Sequence, residues 1–283
     1  MYTVKLFKGA SFVKTANLMK KSISPKVITF DLDETLGSFG DLYILWQSLD
    51  PHIPAHIDKF NVFCELNKLY PEFLRPGIFP ILEFLSHKKR EGICSHVFLY
   101  TNNQASKEWV DLIIRFFNLK VPDLFDKTVC AFKIGNQKVE PMRTSHIKSY
   151  NDLIRCTMLP KNSELCFVDN TYHPKMIHDR VYYIQPKSYH HGLGADEIVE
   201  RFNDSWVIFP LPNTFESTLH EQFLHKWPTK KDPSINMTSF DISQKVSKKI
   251  MYYLKEYFIL STKSPKTKKI TLSLGRFTRK KLR

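Results

Sequence analysis

The chain of 283 residues is long enough for one large or two small domains, and its 42% hydrophobic and 25% charged residues are ordinary for a globular protein. The net charge of +14 lies at the ends: residues 1–26 carry +6 and residues 261–283 carry +9, with no acidic residue in either segment. Residues 27–260 therefore carry −1, which argues against a nucleic-acid-reading fold and favours a near-neutral globular body with cationic ends.

Five cysteines are scattered along the chain without a Cys-x-x-Cys pair. An odd count without a recognisable signal peptide leads us to expect an intracellular protein, cytoplasmic or nuclear, in a reducing compartment. No stretch approaches the ~18 apolar residues of a membrane span, so we expect no membrane partner. The acid-free N-terminus is similar to a transit peptide but contains no arginine, which makes organellar targeting the weaker alternative.

The first motif of the chain is a predicted strand that ends in two aspartates. Val27–Phe30 is rich in β-branched and aromatic residues, as buried strands are, and Asp31, Asp33 and Thr35 follow at alternate positions. Alternate side chains start on one side of an extended chain. The two carboxylates repel each other, and a bound Mg²⁺ would relieve that repulsion. The alternative is a strand that leads into a polar loop with helix-capping aspartates.

Residues 37–73 form an insertion after this motif. A flexible turn at 37–40 precedes apolar residues at helical spacing between Asp58 and Tyr70, and prolines bracket this segment. We interpret 37–73 as a small, largely helical cap over the end of the first strand, because such lids exclude water and select substrates. The alternative is an excursion that only packs.

Strands and helices alternate along the rest of the body. We predict helices at 78–90, 104–119, 149–158, 196–202, 215–226 and 240–260, and strands at 96–100, 128–132, 164–168 and 181–184. This alternation is typical of a parallel sheet, so the predicted fold class is α/β, a doubly wound, mainly parallel, Rossmann-like sheet with a helical cap insertion. The predicted domains are a basic N-terminal segment (1–26), a core with the insertion (27–225), a C-terminal helical extension (226–260) and a basic, disordered tail (261–283).

Polar residues follow three of the predicted strands: Asp31 and Asp33 the first, Thr101 the second, and Asp169 with Asn170 a later one. In a parallel sheet these tips converge on one edge. A carboxylate nucleophile, a hydroxyl for a phosphoryl oxygen and a carboxylate for Mg²⁺ are the parts of aspartyl-phosphate chemistry. A lysine ahead of the last of these strands would supply the remaining part, a fixed cation for the transferring phosphoryl group.

Taken together, these motifs resemble the haloacid dehalogenase-like phosphatases, and within them the branch of RNA polymerase II C-terminal-domain phosphatases, also called NLI-interacting-factor-like. The residues that carry the resemblance are Phe30–Leu36, the Leu-Arg-Pro-Gly run at 74–77, Tyr100–Asn102, a downstream lysine and Phe167–Asn170, in that order across about residues 26–185. The resemblance implies a core of the haloacid dehalogenase type and a Mg²⁺-dependent phosphatase.

The resemblance also implies roles for single residues. Asp31 would attack phosphorus and become the aspartyl-phosphate, and Asp33 would protonate the leaving oxygen and then activate water. Thr101, with Asn102 beside it, would bind the substrate phosphate.

The implied metal ligands are Asp31, Asp33 through its backbone carbonyl, and Asp169, with Asn170 supporting them. Thr35 would order the loop and would not touch the substrate.

Three lysines are candidates for the phosphate-binding cation: Lys133, Lys138 and Lys148. We favour Lys148 because it precedes a predicted helix that leads into the last motif strand, which is similar to the family's arrangement. The alternative for each is a solvated surface lysine.

The expected substrate is a phosphoserine or phosphothreonine protein. Two departures from the family's pattern keep other substrates open, namely the helical character of 37–73 and the pair Asn102-Asn103 after Thr101. Small-molecule or nucleic-acid-end phosphates are alternatives, as are an inactive scaffold of the same fold and a phosphotransferase or mutase. The sequence does not fix the oligomeric state.

The histidines and the basic tail give weaker indications of function. Three histidine pairs could bind a metal: His52/His56, His173/His178 and His190/His191. Each pair lacks an evident third ligand, so we expect them to be surface histidines. His173 follows the last motif and should shape the loop beside it. The basic tail would bind nucleic acid or another anionic partner, act as a nuclear localisation signal, or only solubilise the chain.

Overall fold

The computed structural model describes residues 4–13, 24–206, 208–226 and 233–262, and these form an α/β fold. Its strands are β1 (Val4–Lys8), β2 (Lys26–Phe30), β3 (His96–Tyr100), β4 (Lys127–Val129), β5 (Lys133–Ile134), β6 (Gln137–Lys138), β7 (Glu164–Val168) and β8 (Val181–Pro186). Its α-helices are α1 (Ala10–Val13), α2 (Phe39–Leu49), α3 (Lys59–Leu69), α4 (Ile78–Arg90), α5 (Lys107–Lys120), α6 (Tyr150–Thr157), α7 (Ala195–Ser205), α8 (Phe215–Lys226) and α9 (Pro233–Thr262). Short 3₁₀ turns lie at Asp50–His52, Pro71–Phe73 and Pro174–Met176.

Six strands form one sheet in the order β1-β8-β7-β2-β3-β4. The neighbouring strands are parallel except β1, which runs antiparallel to β8 at the edge. The predicted mainly parallel sheet flanked by helices is therefore confirmed. Strands β5 and β6 form a separate two-stranded hairpin, which the sequence analysis did not predict.

The central strands are buried on both faces, as continuous apolar runs require. In β2, Ile28 and Phe30 face a large core that includes side chains of α2 to α5 and α7 to α9. Val27 faces a smaller core that contains side chains of α6. Helical side chains therefore cover both faces of the sheet, which leaves the ends of the strands as the accessible edges.

The insertion at 37–73 is helical, as predicted, and consists mainly of α2 and α3. Aromatic contacts attach it to α5: Trp46 and Phe63 pack on Trp109, with ring centroids 6.0 and 5.4 Å apart, and Phe39 packs on Phe117. These side chains belong to the large core. The insertion is thus a packed layer of the fold.

Both ends of the described chain pack on the sheet. Strand β1 lies inside the predicted basic segment 1–26. Helix α9 forms the part of the predicted extension that the structure describes from Pro233 onward, and Val246, Ile250, Leu254 and Tyr257 are buried on its predicted face. The Tyr257 hydroxyl donates to the carbonyl of Glu164 at 2.8 Å. The described parts of these two segments therefore contribute to the core. The predicted tail lies outside the described residues, apart from its first two.

Side-chain caps set several helix starts. Ser106 accepts from the N–H of Trp109, so α5 begins at Lys107 and not at 104 as predicted. Ser149 accepts from the N–H of Asp152 and starts α6. None of the helices in the described ranges combines the length and the apolar character needed to cross a membrane.

Candidate active site

The ends of three adjacent strands bring the predicted site residues together. Phe30, the last residue of β2, pairs with Leu99 of β3 and with Val168 of β7. Asp31 follows directly and donates its N–H to the Val168 carbonyl at 2.9 Å. Asp169 and Thr101 continue the neighbouring strands, and all three residues are buried. The parallel register therefore places them at one edge of the sheet.

Lys148 bridges two of these carboxylates. Its Nζ lies 2.5 Å from Asp31 Oδ1 and 2.7 Å from Asp169 Oδ2. The ammonium also lies over the rings of Tyr100 and Phe167, and its side chain is 2% exposed. Among the three candidate lysines, the structure places Lys148 at the carboxylates.

The other two candidate lysines lie in the unpredicted hairpin. Lys133 and Lys138 pair with each other across β5 and β6 and both contact the ring of Phe132. They are not in contact with Asp31 or Asp169 in the described structure.

Burial and neighbouring charges determine the ionisation of Asp31, Lys148 and Asp169, which we call the triplet. Burial raises the pKa of Asp31 to about 7. The negative charges of Asp169 and Asp33 contribute to this rise, and the nearby Lys148 reduces it. Burial also acts to raise the pKa of Asp169, but Lys148 and His173 outweigh it and the pKa is lowered. Burial acts to lower the pKa of Lys148, yet the two carboxylates prevail and raise it. Asp169 and Lys148 are thus a stable ion pair, whereas Asp31 is poised between its two forms.

Asp33 lies beside the triplet with one oxygen unused. Its Oδ2 accepts from Asn103 Nδ2 at 2.8 Å, whereas its buried Oδ1 has no hydrogen-bond partner among the described residues. Burial, its largest influence, raises the pKa of this carboxyl. The arrangement suits a group that holds a proton and releases it to a bound molecule.

In the loop after β3, the side chain of Asn103 lies at an aspartate of the site, whereas that of Asn102 does not. The Asn102 amide donates to the His146 carbonyl at 3.0 Å, so its side chain is turned towards the loop before Lys148. Asn103 occupies the position beside Asp33, because its N–H bonds Thr101 Oγ1 and its Oδ1 accepts from Ala105 in a tight turn. No role was predicted for Asn103, because the sequence does not show which of two adjacent loop asparagines the turn directs to Asp33.

Asn170 and Thr35 fix the loop after β2. Thr35 Oγ1 donates to Asn170 Oδ1 at 2.8 Å and accepts from the Asn170 N–H at 3.1 Å. The Asn170 amide also donates to Glu34 and Ser188. These bonds tie the loop after β2 to the end of β7, which is the ordering role predicted for Thr35.

Two buried arginines, for which the sequence analysis gave no role, hold the loops of the site. Arg75 donates to the carbonyls of Glu34, Thr35 and Lys187 at 2.5 to 3.0 Å, and burial lowers its pKa to about 10. Its place in the Arg-Pro-Gly motif was the feature of the sequence that could have indicated this role. The same linking role falls to Arg143, which donates to the carbonyls of three other residues, Thr101, Cys130 and His146, at 2.8 to 3.1 Å. Nothing in the sequence distinguishes Arg143 from a surface arginine.

Two histidines correct the expectation of a surface location. His173 Nε2 lies 3.1 Å from Asp169 Oδ2, and its side chain is 11% exposed. His191 is buried, packs on Phe73 and lies 3.2 Å from Asp41. Sequence spacing could not separate them from the remaining four, which are exposed.

The donor set suits a hard cation with few protein ligands. Among the described residues, no three His, Cys, Asp or Glu side chains form a metal-binding group. Mg²⁺ commonly takes one or two carboxylates together with water and phosphate oxygens. Asp31, Asp169 and the backbone carbonyl of Asp33 would hold it, and the buried, unpartnered Asp33 Oδ1 shows that the site has capacity for a further positive or hydrogen-bonding group. The residues present therefore fit Mg²⁺.

A groove of about 670 Å³ lies elsewhere on the same molecule. Its lining includes Arg75, Phe79, Tyr189 and Phe240 but none of the aspartates, the threonine or the lysine described above.

Comparison with protein-family models, with curated proteins and with solved structures gives no match for this chain.

Proposed function

We propose that this chain is a Mg²⁺-dependent phosphatase that acts through an aspartyl-phosphate at Asp31, with a core of the haloacid dehalogenase type. The observation that carries the proposal is the buried Lys148 ammonium between Asp31 and Asp169, at the edge of the sheet where Asp33 and Thr101 follow β2 and β3. A nucleophilic carboxylate, a fixed cation and a second carboxyl group that holds a proton then lie at one edge of the sheet.

In the first step, a carboxylate oxygen of Asp31 forms a bond to phosphorus while the bond between phosphorus and the leaving oxygen breaks. Asp33 donates its proton to that leaving oxygen, a task for which its raised pKa is suitable. Lys148 and the Thr101 hydroxyl stabilise the negative charge on the phosphoryl oxygens. The products are the dephosphorylated alcohol and the aspartyl-phosphate.

In the second step, Asp33 removes a proton from water, and the resulting hydroxide attacks phosphorus. The bond between phosphorus and the Asp31 oxygen breaks, which restores the carboxylate and releases inorganic phosphate. When bound, Mg²⁺ supplies charge neutralisation and orients the phosphate. Asn103 holds Asp33 in place, and His173 with Lys148 keeps Asp169 ionised.

A phosphoserine or phosphothreonine protein is the proposed substrate, and the helical insertion at 37–73 is the proposed cap. An intracellular location, cytoplasmic or nuclear, belongs to the same proposal and is supported by five cysteines that lie as free thiols. An anionic partner for the basic tail remains part of the proposal as well.

The test is the release of phosphate from p-nitrophenyl phosphate with and without Mg²⁺. We expect activity that requires Mg²⁺ and disappears in Asp31→Asn. The matched control is Asp204→Asn, which changes an exposed carboxylate on α7 and should leave activity unchanged. Activity that survives in Asp31→Asn would rule out the covalent mechanism.

An inactive scaffold is the second candidate. The observation in its favour is that Lys148 already pairs with both carboxylates, an arrangement that buried ion groups also adopt for structure alone. The absence of activity towards every phosphoester tried, with the fold intact, would establish the scaffold.

A further inference from the structure

The hairpin β5–β6 places two lysines directly opposite each other. Lys133 pairs with Lys138, and Gly135, with φ of +55°, lies in the two-residue turn between the strands. Like charges at opposite positions of an antiparallel pair are destabilising. A hairpin with two residues in each strand has little intrinsic stability to offset that repulsion. Any group that offsets the repulsion between the two lysines would therefore stabilise the hairpin.

Both ammonium groups lie against one aromatic ring. Lys133 Nζ is 5.5 Å and Lys138 Nζ is 5.2 Å from the centroid of the Phe132 ring. In the part of the chain that the structure describes, neither lysine forms an ion pair with a carboxylate. The hairpin therefore presents two positive charges, held near each other at the surface, that an anion from outside the chain would neutralise.

A chain of contacts fixes the hairpin relative to the candidate active site. The His146 ring packs edge-on against Phe132 at 5.4 Å, and the His146 carbonyl accepts from Asn102. Arg143 joins the carbonyls of Cys130, Thr101 and His146, so the base of the hairpin, the end of β3 and the loop before Lys148 share one buried guanidinium. The two lysines thus have a defined position next to the loop that carries Thr101.

We propose that this hairpin is a second anion-binding subsite, which takes a negatively charged side chain of the substrate while the scissile phosphate occupies the site at Asp31. The preferred substrate is then a phosphoprotein segment that carries further phosphorylated or acidic residues. The inference depends on the proposed function for the identity of the substrate. The ring of Phe132 is engaged by two lysines and His146, which favours an anionic peptide over a stacked nucleobase.

Steady-state kinetics on three substrates test the subsite: p-nitrophenyl phosphate, and one phosphoserine peptide in its singly and doubly phosphorylated forms. We expect the wild-type kcat/KM to be about tenfold higher for the doubly phosphorylated peptide, and the preference to fall as salt is added. The double variant Lys133→Ala/Lys138→Ala should lose that preference and keep its rate on p-nitrophenyl phosphate within about twofold. The matched control, Lys245→Ala/Lys248→Ala on α9, removes the same charge from exposed positions and should keep the preference.

A binding measurement separates this proposal from the proposed function. Fluorescence anisotropy with the labelled peptides on Asp31→Asn protein reports affinity without turnover, so it is decisive even if the chain hydrolyses nothing. Equal affinity for the two peptides would overturn the subsite. So would a double variant whose activity on p-nitrophenyl phosphate falls as much as its activity on the doubly phosphorylated peptide. A 5′-phosphorylated oligonucleotide that binds more tightly than the peptide, through the same two lysines, would overturn the peptide assignment.

Discussion

Replacing Asp31 by asparagine should make the metal-free protein more stable above neutral pH, although it removes the proposed nucleophile. Burial raises the pKa of Asp31 from 3.8 to about 7, with Asp169 and Asp33 adding to the rise. A carboxyl group with a higher pKa in the folded state stabilises that state while it is protonated, and this contribution is lost as the pH rises from about 4 to about 7. At 1.36 kcal/mol per pKa unit, ionised Asp31 costs about 4 kcal/mol at pH 8.

Asparagine, which stays neutral, should recover most of that cost. The attraction to Lys148 is already included in the pKa of about 7, so the loss of the 2.5 Å contact costs nothing further. The net gain in the free energy of unfolding at pH 8 should therefore be about 3–4 kcal/mol. In a domain of this size each kcal/mol raises Tm by about 2–4 °C.

The assay is thermal unfolding followed by circular dichroism, in a metal chelator, between pH 4 and pH 9. The Tm difference between Asp31→Asn and wild type should grow from pH 4 to pH 7 and then level off. Asp169→Asn is the control of opposite sign, because Lys148 and His173 lower the pKa of Asp169 against the effect of burial, and it should lose about 3–5 kcal/mol at pH 8. Two outcomes would show that ionised Asp31 does not destabilise the fold: an Asp31→Asn protein no more stable than wild type at pH 8, or a Tm difference that does not depend on pH.

Three further predictions, made with four substitutions, test other parts of the molecule. Lys148→Ala should reduce kcat on p-nitrophenyl phosphate by about 10²–10³-fold, whereas Lys133→Ala should retain it; the reverse outcome would reject Lys148 as the phosphate-binding cation. Arg75→Lys should lower the free energy of unfolding by about 2–4 kcal/mol in urea titrations, because one ammonium cannot serve three buried carbonyls; an unchanged midpoint would contradict this role. Glu256→Gln should cost about 0.5–1 kcal/mol at pH 7 through its contact with Lys8. Burial acts to raise the pKa of Glu256, but the hydrogen bonds from Lys8 and Tyr182 prevail and lower it, so the cost should vanish as the pH falls through this lowered pKa, and a constant difference would refute the ion pair.

Much of the fold was predictable because apolar periodicity decided it. Strands β2, β3 and β7 are short apolar runs, and the apolar residues of α9 repeat at helical spacing. The pattern of apolar residues was therefore sufficient to predict these elements. The edge strand β1 was missed because its lysines at positions 5 and 8 conceal a partly exposed antiparallel strand. The hairpin β5–β6 was missed because it is too short to produce a pattern.

The carboxylates and Thr101 of the site were predictable because they follow apolar strands directly. Asn103 and Arg143 were not, because their roles depend on loop conformation; for His173 the loop beside the last motif was predicted, but the contact with Asp169 was not. A tight turn directs Asn103 to Asp33, and the loop after Asp169 returns His173 to the same carboxylate. Such contacts join residues whose spacing along the chain carries no period.

The register of the sheet and the chemistry of the site depend on each other. A one-residue shift of β2 would exchange the faces of Ile28 and Phe30 with those of Val27, which the two separate cores exclude. A two-residue shift keeps every side chain on its face but moves Asp31 by about 7 Å along the strand. Lys148 could not then lie 2.5 Å from Asp31 and 2.7 Å from Asp169. The contacts of this ammonium therefore add to apolar burial in favouring the native register, so that the residues proposed for catalysis also contribute to the strand pairing that brings them together.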